Sequence, residues 1–190
     1  MTTPGDVLNA EHEAIETLLT TVDAMAERLR AGEPIPKDDL YDVLTVVVDF
    51  ADGCHHAKEE SIVFPALALV SPHAGAELGR RLTSDHRALR LLASSVKATV
   101  PRSHTKAARK QLGKLLATYS RLLRAHMKVE TERLLPEVAL ALTAAEQERI
   151  MRAFERVERE EIGAGMQAAY RAIILRLAET YSVTTVRSPA

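Results

Sequence analysis

Two stretches of the chain repeat one pattern of metal donors. His55-His56-Ala57-Lys58-Glu59-Glu60-Ser61-Ile62-Val63-Phe64-Pro65 and His126-Met127-Lys128-Val129-Glu130-Thr131-Glu132-Arg133-Leu134-Leu135-Pro136 each carry His-x-x-x-Glu, a second acid, an apolar pair and a proline. Each is preceded by another His in a second shared phrase, Glu11-His12 with Ile15, Leu18 and Leu19, and Asp85-His86 with Leu89, Leu92 and Ala93. The sum is four imidazoles and two carboxylates, a donor set for a pair of transition-metal ions. His and Glu at i and i+4 lie one turn apart on one helix face, so each pair offers a nitrogen and an oxygen to the same region. If both Glu bridge two metals, each metal receives two imidazoles and two carboxylate oxygens. An octahedral ion such as iron then keeps room for a solvent bridge and one exchangeable position, where oxygen or another small oxidant binds.

These donors need helices to position them, and the punctuation of the chain supplies five. Pro4-Gly5, Gly32 to Pro36, Ser71-Pro72 and Pro101 separate long windows rich in Ala, Leu, Glu and Arg. The first helix is expected from about Asp6 to Ala31, closed by Gly32, and the second from about Asp38 to Val70, with Gly53 a weak point and Pro65 forcing a kink or an end. The third covers about Ala74 to Thr99, the fourth runs from beyond Pro101 to about Leu142, and the fifth opens on the capping-box form Thr143-x-x-Glu146 and reaches about Tyr181. Residues 182–190 read as a flexible tail. The expected fold class is therefore all-α, with a domain over 6–142 and a C-terminal helix over 143–181.

All six donors fall on apolar stripes. Helix one carries Leu8, His12, Ile15, Leu19 and Val22; helix three carries Leu82, His86, Leu89 and Ala93. Helix two gives Leu44, Val48, Ala51, His55, Glu59 and Ile62, and helix four gives Leu115, Tyr119, Leu123, His126, Glu130 and Leu134. A carboxylate inside such a stripe is costly unless a cation compensates it, and here there are two. The same phase places His56 and Glu60 on a face with Asp49 and Asp52, directed outward, so that neither is expected to matter as His55 and Glu59 do; only a helix perturbed at Gly53 would swing His56 inward as an extra donor. Tyr119 reads as core packing with a polar tip, with hydrogen bonding to a bridging ligand or redox chemistry as its alternative, Cys54 as a structural or incidental thiol turned away from the donors, and His73 and His104 as solvated junction residues. The apolar face of the fifth helix, Ile150, Phe154, Val157, then Met166, Tyr170, Ile173 and Leu177, must cover something: it caps the bundle or forms a homodimer interface, with a bend at Gly163 and Gly165.

Composition narrows the partners. Lys plus Arg (25) nearly balances Asp plus Glu (26), so no long-range field draws the chain to nucleic acid or to an acidic membrane surface. No apolar run approaches the roughly 20 residues that span a bilayer. One cysteine permits no internal disulfide, and Met-Thr-Thr-Pro-Gly-Asp has neither a basic start nor an apolar signal core, so a reducing, cytoplasmic setting is expected.

At the six donor positions the sequence resembles the hemerythrin-like, or HHE cation-binding, family, over about residues 6 to 140. The resemblance implies an antiparallel up-and-down four-helix bundle with a non-haem di-iron centre of two iron ions. It implies that His12, His55, His86 and His126 are terminal ligands and that Glu59 and Glu130 bridge, with His12 and His55 on one iron and His86 and His126 on the other. Oxygen-carrying members have a further His one turn along the third helix and an Asp in the fourth; here Arg90 and Leu82 flank His86 by a turn, and the last acid is Glu130. The iron at His86 and His126 is thus expected to be the more open one, which favours chemistry or sensing over oxygen storage. Members that repair iron–sulfur clusters carry a cysteine-bearing N-terminal region, which the residues before Asp6 do not contain.

The leading reading is a di-iron protein that binds and senses or reacts with oxygen, peroxide or nitric oxide. Two alternatives stand beside it: an enzyme that decomposes peroxide or reduces nitric oxide, and an iron-responsive structural or interaction module. Because the duplication makes Glu59 and Glu130 equivalent, Glu59→Ala and Glu130→Ala should each lose one of two bound metals and lower the melting temperature of the metal-loaded protein by similar amounts. Metal analysis and thermal unfolding of the two variants check this; a large effect at one position and none at the other contradicts the equivalence.

Overall fold

The computed structural model describes residues 2–159, 163 and 165–181, and every regular element among them is helical. Helix α1 (Pro4–Ala31) begins two residues earlier than the sequence suggests, because Thr3 rather than Asp6 is its N-cap. Asp6 closes a capping box with Thr3, Pro4 occupies the first turn, and Gly32 ends the helix at φ 91°. A second column follows without a break, made of α2 (Lys37–Thr45), a π-helical stretch over Val46–His56, a π turn over Glu59–Val63, and α3 (Phe64–Val70). Helix α4 (Pro72–Thr99) leads through a 3-10 turn to a fourth column: α5 (Lys106–Val129), a π turn over Glu130–Leu134, and α6 (Leu135–Ala141).

The expected fifth helix is two helices, α7 (Ala144–Val157), with the capping box of Thr143 and Glu146, and α8 (Met166–Thr180). Between them Gly163 and Gly165 stand at φ 95° and 83°, a backbone that no continuous helix can follow. The expected tail over 182–190 lies outside the described residues.

The π turns recur at equivalent places, and the sequence explains why. Pro65 and Pro136 each sit in the first turn of the α-helix that follows one. A proline inside a helix has no N–H and presses on the carbonyl four residues back. Widening the preceding turn relieves that clash without ending the column, so the expected break at Pro65 does not occur. The longer stretch begins at Val46-Val47-Val48 and contains Gly53, residues that hold an α-helix poorly.

Helix α5 packs along α1 and α4, α3 packs on α4, α7 lies against the Glu59–Val63 turn and α1, and α8 lies against α1 and the Val46–His56 stretch. Ile150 and Phe154 of α7, and Tyr170, Ile174 and Leu177 of α8, are buried by these contacts. The helical bundle holds two separate apolar clusters. One includes Ile15, Leu19, Val22, Ala51, Leu89 and Leu123, the other Leu8, Val63, Phe64, Leu82 and Leu134. In every column the donor residues fall between members of the two, so a polar layer divides the core.

Close helix approach depends on Gly113, where a Cβ would stand 2.7 Å from the Ala26 carbonyl oxygen of α1. At Gly79 of α4 a Cβ would meet Phe64 at an ordinary 3.5 Å. Gly113→Ala should therefore destabilise the protein by about 1–3 kcal/mol through overpacking, whereas Gly79→Ala should be neutral or stabilise it by up to about 1 kcal/mol as a helix-interior substitution. Denaturant unfolding compares them, and equal effects would contradict the packing of α1 on α5.

Candidate metal centre

The four columns bring all six donors into one layer. His12 from α1, His55 and Glu59 from the second column, His86 from α4, and His126 and Glu130 from the fourth are all buried. Their pairing is specific: His12 Nε2 is 3.2 Å from His55 Nε2, and His86 Nε2 is 3.0 Å from His126 Nε2. Two ligands at right angles on one ion, each about 2.1 Å from it, stand about 3 Å apart. Both imidazole pairs match that edge.

The carboxylates lie between the pairs. Glu130 turns Oε2 to His12 (3.1 Å) and His55 (3.9 Å), and Oε1 to His126 (2.5 Å) and His86 (4.0 Å). Glu59 Oε2 is 3.9 Å from His55 and 3.4 Å from His86. One side chain from each repeat therefore spans both pairs. Donor atoms of His12, His55 and Glu130 form one group close enough to hold an ion, and those of Glu59, His86, His126 and Glu130 form another. Both carboxyl groups are fully buried, and none of their four oxygens has a partner in hydrogen-bond geometry. Such atoms are destabilising without compensation, and a cation shared with the surrounding lone pairs supplies it. The residues fit a metal pair.

The outer nitrogens are held by acids. His55 Nδ1 is 3.0 Å from Glu11, and His86 Nδ1 is 2.7 Å from Glu60. His126 Nδ1 faces Asp85 at 3.6 Å, an ion-pair distance beyond hydrogen-bond reach. A carboxylate that accepts a hydrogen bond from Nδ1–H fixes the proton there and leaves the Nε2 lone pair pointing into the layer. Glu11 and Asp85 were visible as the acids that precede His12 and His86 in the two phrases, although spacing alone gives them no role.

Two expectations from helix phase are corrected. His56 is not outward: it is 1% exposed, with its ring stacked on His86 at 3.9 Å. Glu60 is not a solvated acid but the partner of His86. An α-helix advances about 100° per residue, whereas a π turn closes its hydrogen bonds one residue later and advances less. Over Val46–His56 the faces slip, so Val48, assigned to the core stripe, is 44% exposed, and Val47 and His56 are buried. Arg90, a turn after His86, ties the two together: its guanidinium grips Asp52, the partner of His56, at 2.8 and 3.0 Å and Glu60 at 2.9 Å.

Lys58 was missed altogether. Its side chain is fully buried, with Nζ 2.6 Å from Glu11 Oε1, bonded also to Glu158, and 5.3 Å above the Phe154 ring. Its partner at the end of α7 lies 100 positions away in the chain, a distance over which no local pattern speaks. Cys54 is buried near Glu11 and Gln167, and burial together with the Glu11 charge pushes its thiol up to about 12, which makes it inert. Burial also holds the Tyr119 phenol above its usual range; Tyr119 lines a pocket of about 220 Å³ with His56. His73 and His104 are exposed.

Comparison with known families finds one matching family model. The family model described as hemerythrin HHE cation binding domain matches residues 3–138. The chain belongs to this family. All six donors lie inside the matched span. Neither the curated proteins nor the solved structures yield a match. Among the described residues, no helix is long and apolar enough to cross a membrane.

The electrostatics of the layer set its pH response. Burial and the Glu130 charge push the Glu59 carboxyl up to about 7, while the imidazoles around Glu130 outweigh its burial and hold it well below the usual range. Burial disfavours charge on His55 and His86, but Glu59 and Glu11 carry His55 well above 6.5, and Glu130, Glu59 and Glu60 carry His86 up to about 9. A histidine raised in this way stabilises the fold fully below the unfolded value of 6.5 and loses that contribution as pH rises through the folded value. Chelator-treated protein should therefore lose thermal stability between pH 7 and about 9, whereas metal, which holds the imidazoles deprotonated, should flatten the profile. Melting curves across this window test the sign, and a chelated protein that gains stability on the alkaline side contradicts it.

Proposed function

We propose that the protein holds two carboxylate-bridged iron ions and uses them to bind and to sense or react with a small oxidant: oxygen, peroxide or nitric oxide. The observation that carries this reading is the pair of buried carboxylates, Glu59 and Glu130, with no hydrogen-bond partner and with imidazole nitrogens of both pairs around them. Imidazole and carboxylate without thiolate suit iron or manganese, and a closed tetrahedral zinc site does not use six donors. In this reading α1, the column over Lys37–Val70, α4 and the column over Lys106–Ala141 form an antiparallel up-and-down four-helix bundle, and a reducing cytoplasmic setting keeps Cys54 free.

An iron pair held there would supply redox equivalents and exchangeable coordination positions for the oxidant. The protein supplies the rest. Glu11 and Glu60 fix the tautomers of His55 and His86, Glu59 and Glu130 join the two sides, and the apolar clusters on either side of the layer keep bulk water away. A cleft of about 660 Å³ between α1 and α5, lined by His12, Met127 and Thr131 among others, gives small molecules a way in.

One observation favours a second reading, the iron-responsive module. Glu11 touches His55 on one side and Lys58 on the other, and Lys58 reaches Glu158 at the end of α7. Gln167 of α8 also approaches Glu11, at 3.4 Å. Charge at the metal layer is thus relayed to both C-terminal helices, and metal-dependent protection of α7 and α8 from hydrogen exchange would support this reading over the first.

Anaerobic loading with ferrous iron should give about two ions per chain, followed on exposure to oxygen by near-ultraviolet absorption of a bridged ferric pair. Steady-state turnover of peroxide or nitric oxide by the loaded protein distinguishes an enzyme from a sensor. A protein that takes up one zinc in preference to iron and develops no such absorption overturns the proposal.

A further inference from the structure

We infer that His56 is a fifth imidazole ligand, on the His86–His126 side of the centre, and that the side open to an external ligand is the one at His12 and His55. The inference rests on the metal-binding reading above and adds a residue outside the family's six-donor pattern. It also reverses the expectation, drawn from the absence of a second His on the third helix, that the His86–His126 side is the open one.

His56 Nε2 is buried and has no hydrogen-bond partner. Leaving a buried polar nitrogen unsatisfied is costly, so a histidine kept there for packing alone is a poor choice. Its other nitrogen, Nδ1, is 3.2 Å from Asp52 Oδ1. This is the wiring of His55 on Glu11 and of His86 on Glu60: an acid holds Nδ1, and the Nε2 lone pair is left for the layer. The ring stacks on His86 and meets His126 edge-on at 5.3 Å. Donor atoms of His56, His86 and His126 lie within 4.8 Å of one another.

Arg90 makes the two acids one unit. It sits a turn after His86 and binds both Asp52 and Glu60, the acids behind His56 and His86. A single guanidinium thereby orients two imidazoles on the same side of the centre.

The repeat shows that the other side is built differently. Aligning His55 with His126 places Met127 opposite His56 and Thr131 opposite Glu60. The second copy of the phrase therefore offers neither a further imidazole nor an acid for a ring nitrogen, and His12 Nδ1 has no partner. Met127 and Thr131 instead line the α1–α5 cleft beside His12. Three imidazoles crowd one side, and on the other side His12, of the pair it makes with His55, lines the cleft.

The test uses the full-length chain loaded anaerobically with ferrous iron. In wild-type protein, hyperfine-shifted ring N–H proton signals should number five. His56→Gln should show four, and a ferrous chelator should remove one of its two irons at least about tenfold faster, in line with the loss of a metal-site contact. In His56→Ala, free imidazole admitted through the pocket that His56 lines should slow that removal again, a rescue that a packing defect does not give. Four signals in the wild type, or a His56→Gln variant that keeps both irons with unchanged release, overturns the inference while leaving the six-donor centre standing. Wild-type protein that loads no iron overturns both.

Discussion

Two carboxylates meet in the middle of this protein's core, and most of the remaining structure can be understood from what that meeting requires. Glu59 and Glu130 are fully buried, and neither has a hydrogen-bond donor in proper geometry. Isolated charges in such a place are strongly unfavourable. Four imidazoles surround the pair, and behind three of those rings stands a further acid, Glu11 for His55, Glu60 for His86 and Asp85 for His126. The layer is thus a shell of negative groups around nitrogen lone pairs, neutralised in the proposed state by cations at its centre. The apolar clusters above and below keep it dry, so its electrostatic interactions are stronger than they would be in water.

The π turns are the means by which the helices meet that requirement. Glu59–Val63 and Glu130–Leu134 begin on the two buried carboxylates themselves, and each is followed by a proline that an unbroken α-helix would resist. Widened turns are frequent at functional sites because they re-aim side chains without breaking the column. Here the longer stretch over Val46–His56 turns two consecutive histidines inward, which a regular α-helix cannot do without about 100° between them.

How far the sequence could be read follows from the same geometry. The helix boundaries at Gly32 and Thr143 were legible because caps and a positive-φ glycine are local signals. The burial of His12, His55, Glu59, His86, His126 and Glu130 was legible because His-x-x-x-Glu spans one α-turn and the second column re-enters its phase by Glu59. His56 and Glu60 were misplaced because phase counting assumes an α-helix where the backbone is π-helical. Arg90 and Lys58 were illegible for another reason: each has a role only through partners brought by tertiary packing, Asp52 and Glu60 for the first, Glu11 and Glu158 for the second. The glycines of the last helix announced a bend but not its division into two helices, and the surface it covers was not legible.

The duplicated phrases give the centre an approximate twofold plan, and the differences between the copies break it. His56 and Glu60 on one side stand against Met127 and Thr131 on the other, and the α1–α5 cleft opens at the less guarded side. The central claim, that this layer exists to hold two metals joined by Glu59 and Glu130, is tested most directly by anomalous diffraction at the iron absorption edge from crystals of iron-loaded protein. The account predicts two peaks, one among His12, His55 and Glu130 and the other among His86, His126, Glu59 and Glu130. A single peak, or iron bound only at surface carboxylates with Glu59 and Glu130 left in direct contact with the imidazoles, would contradict it.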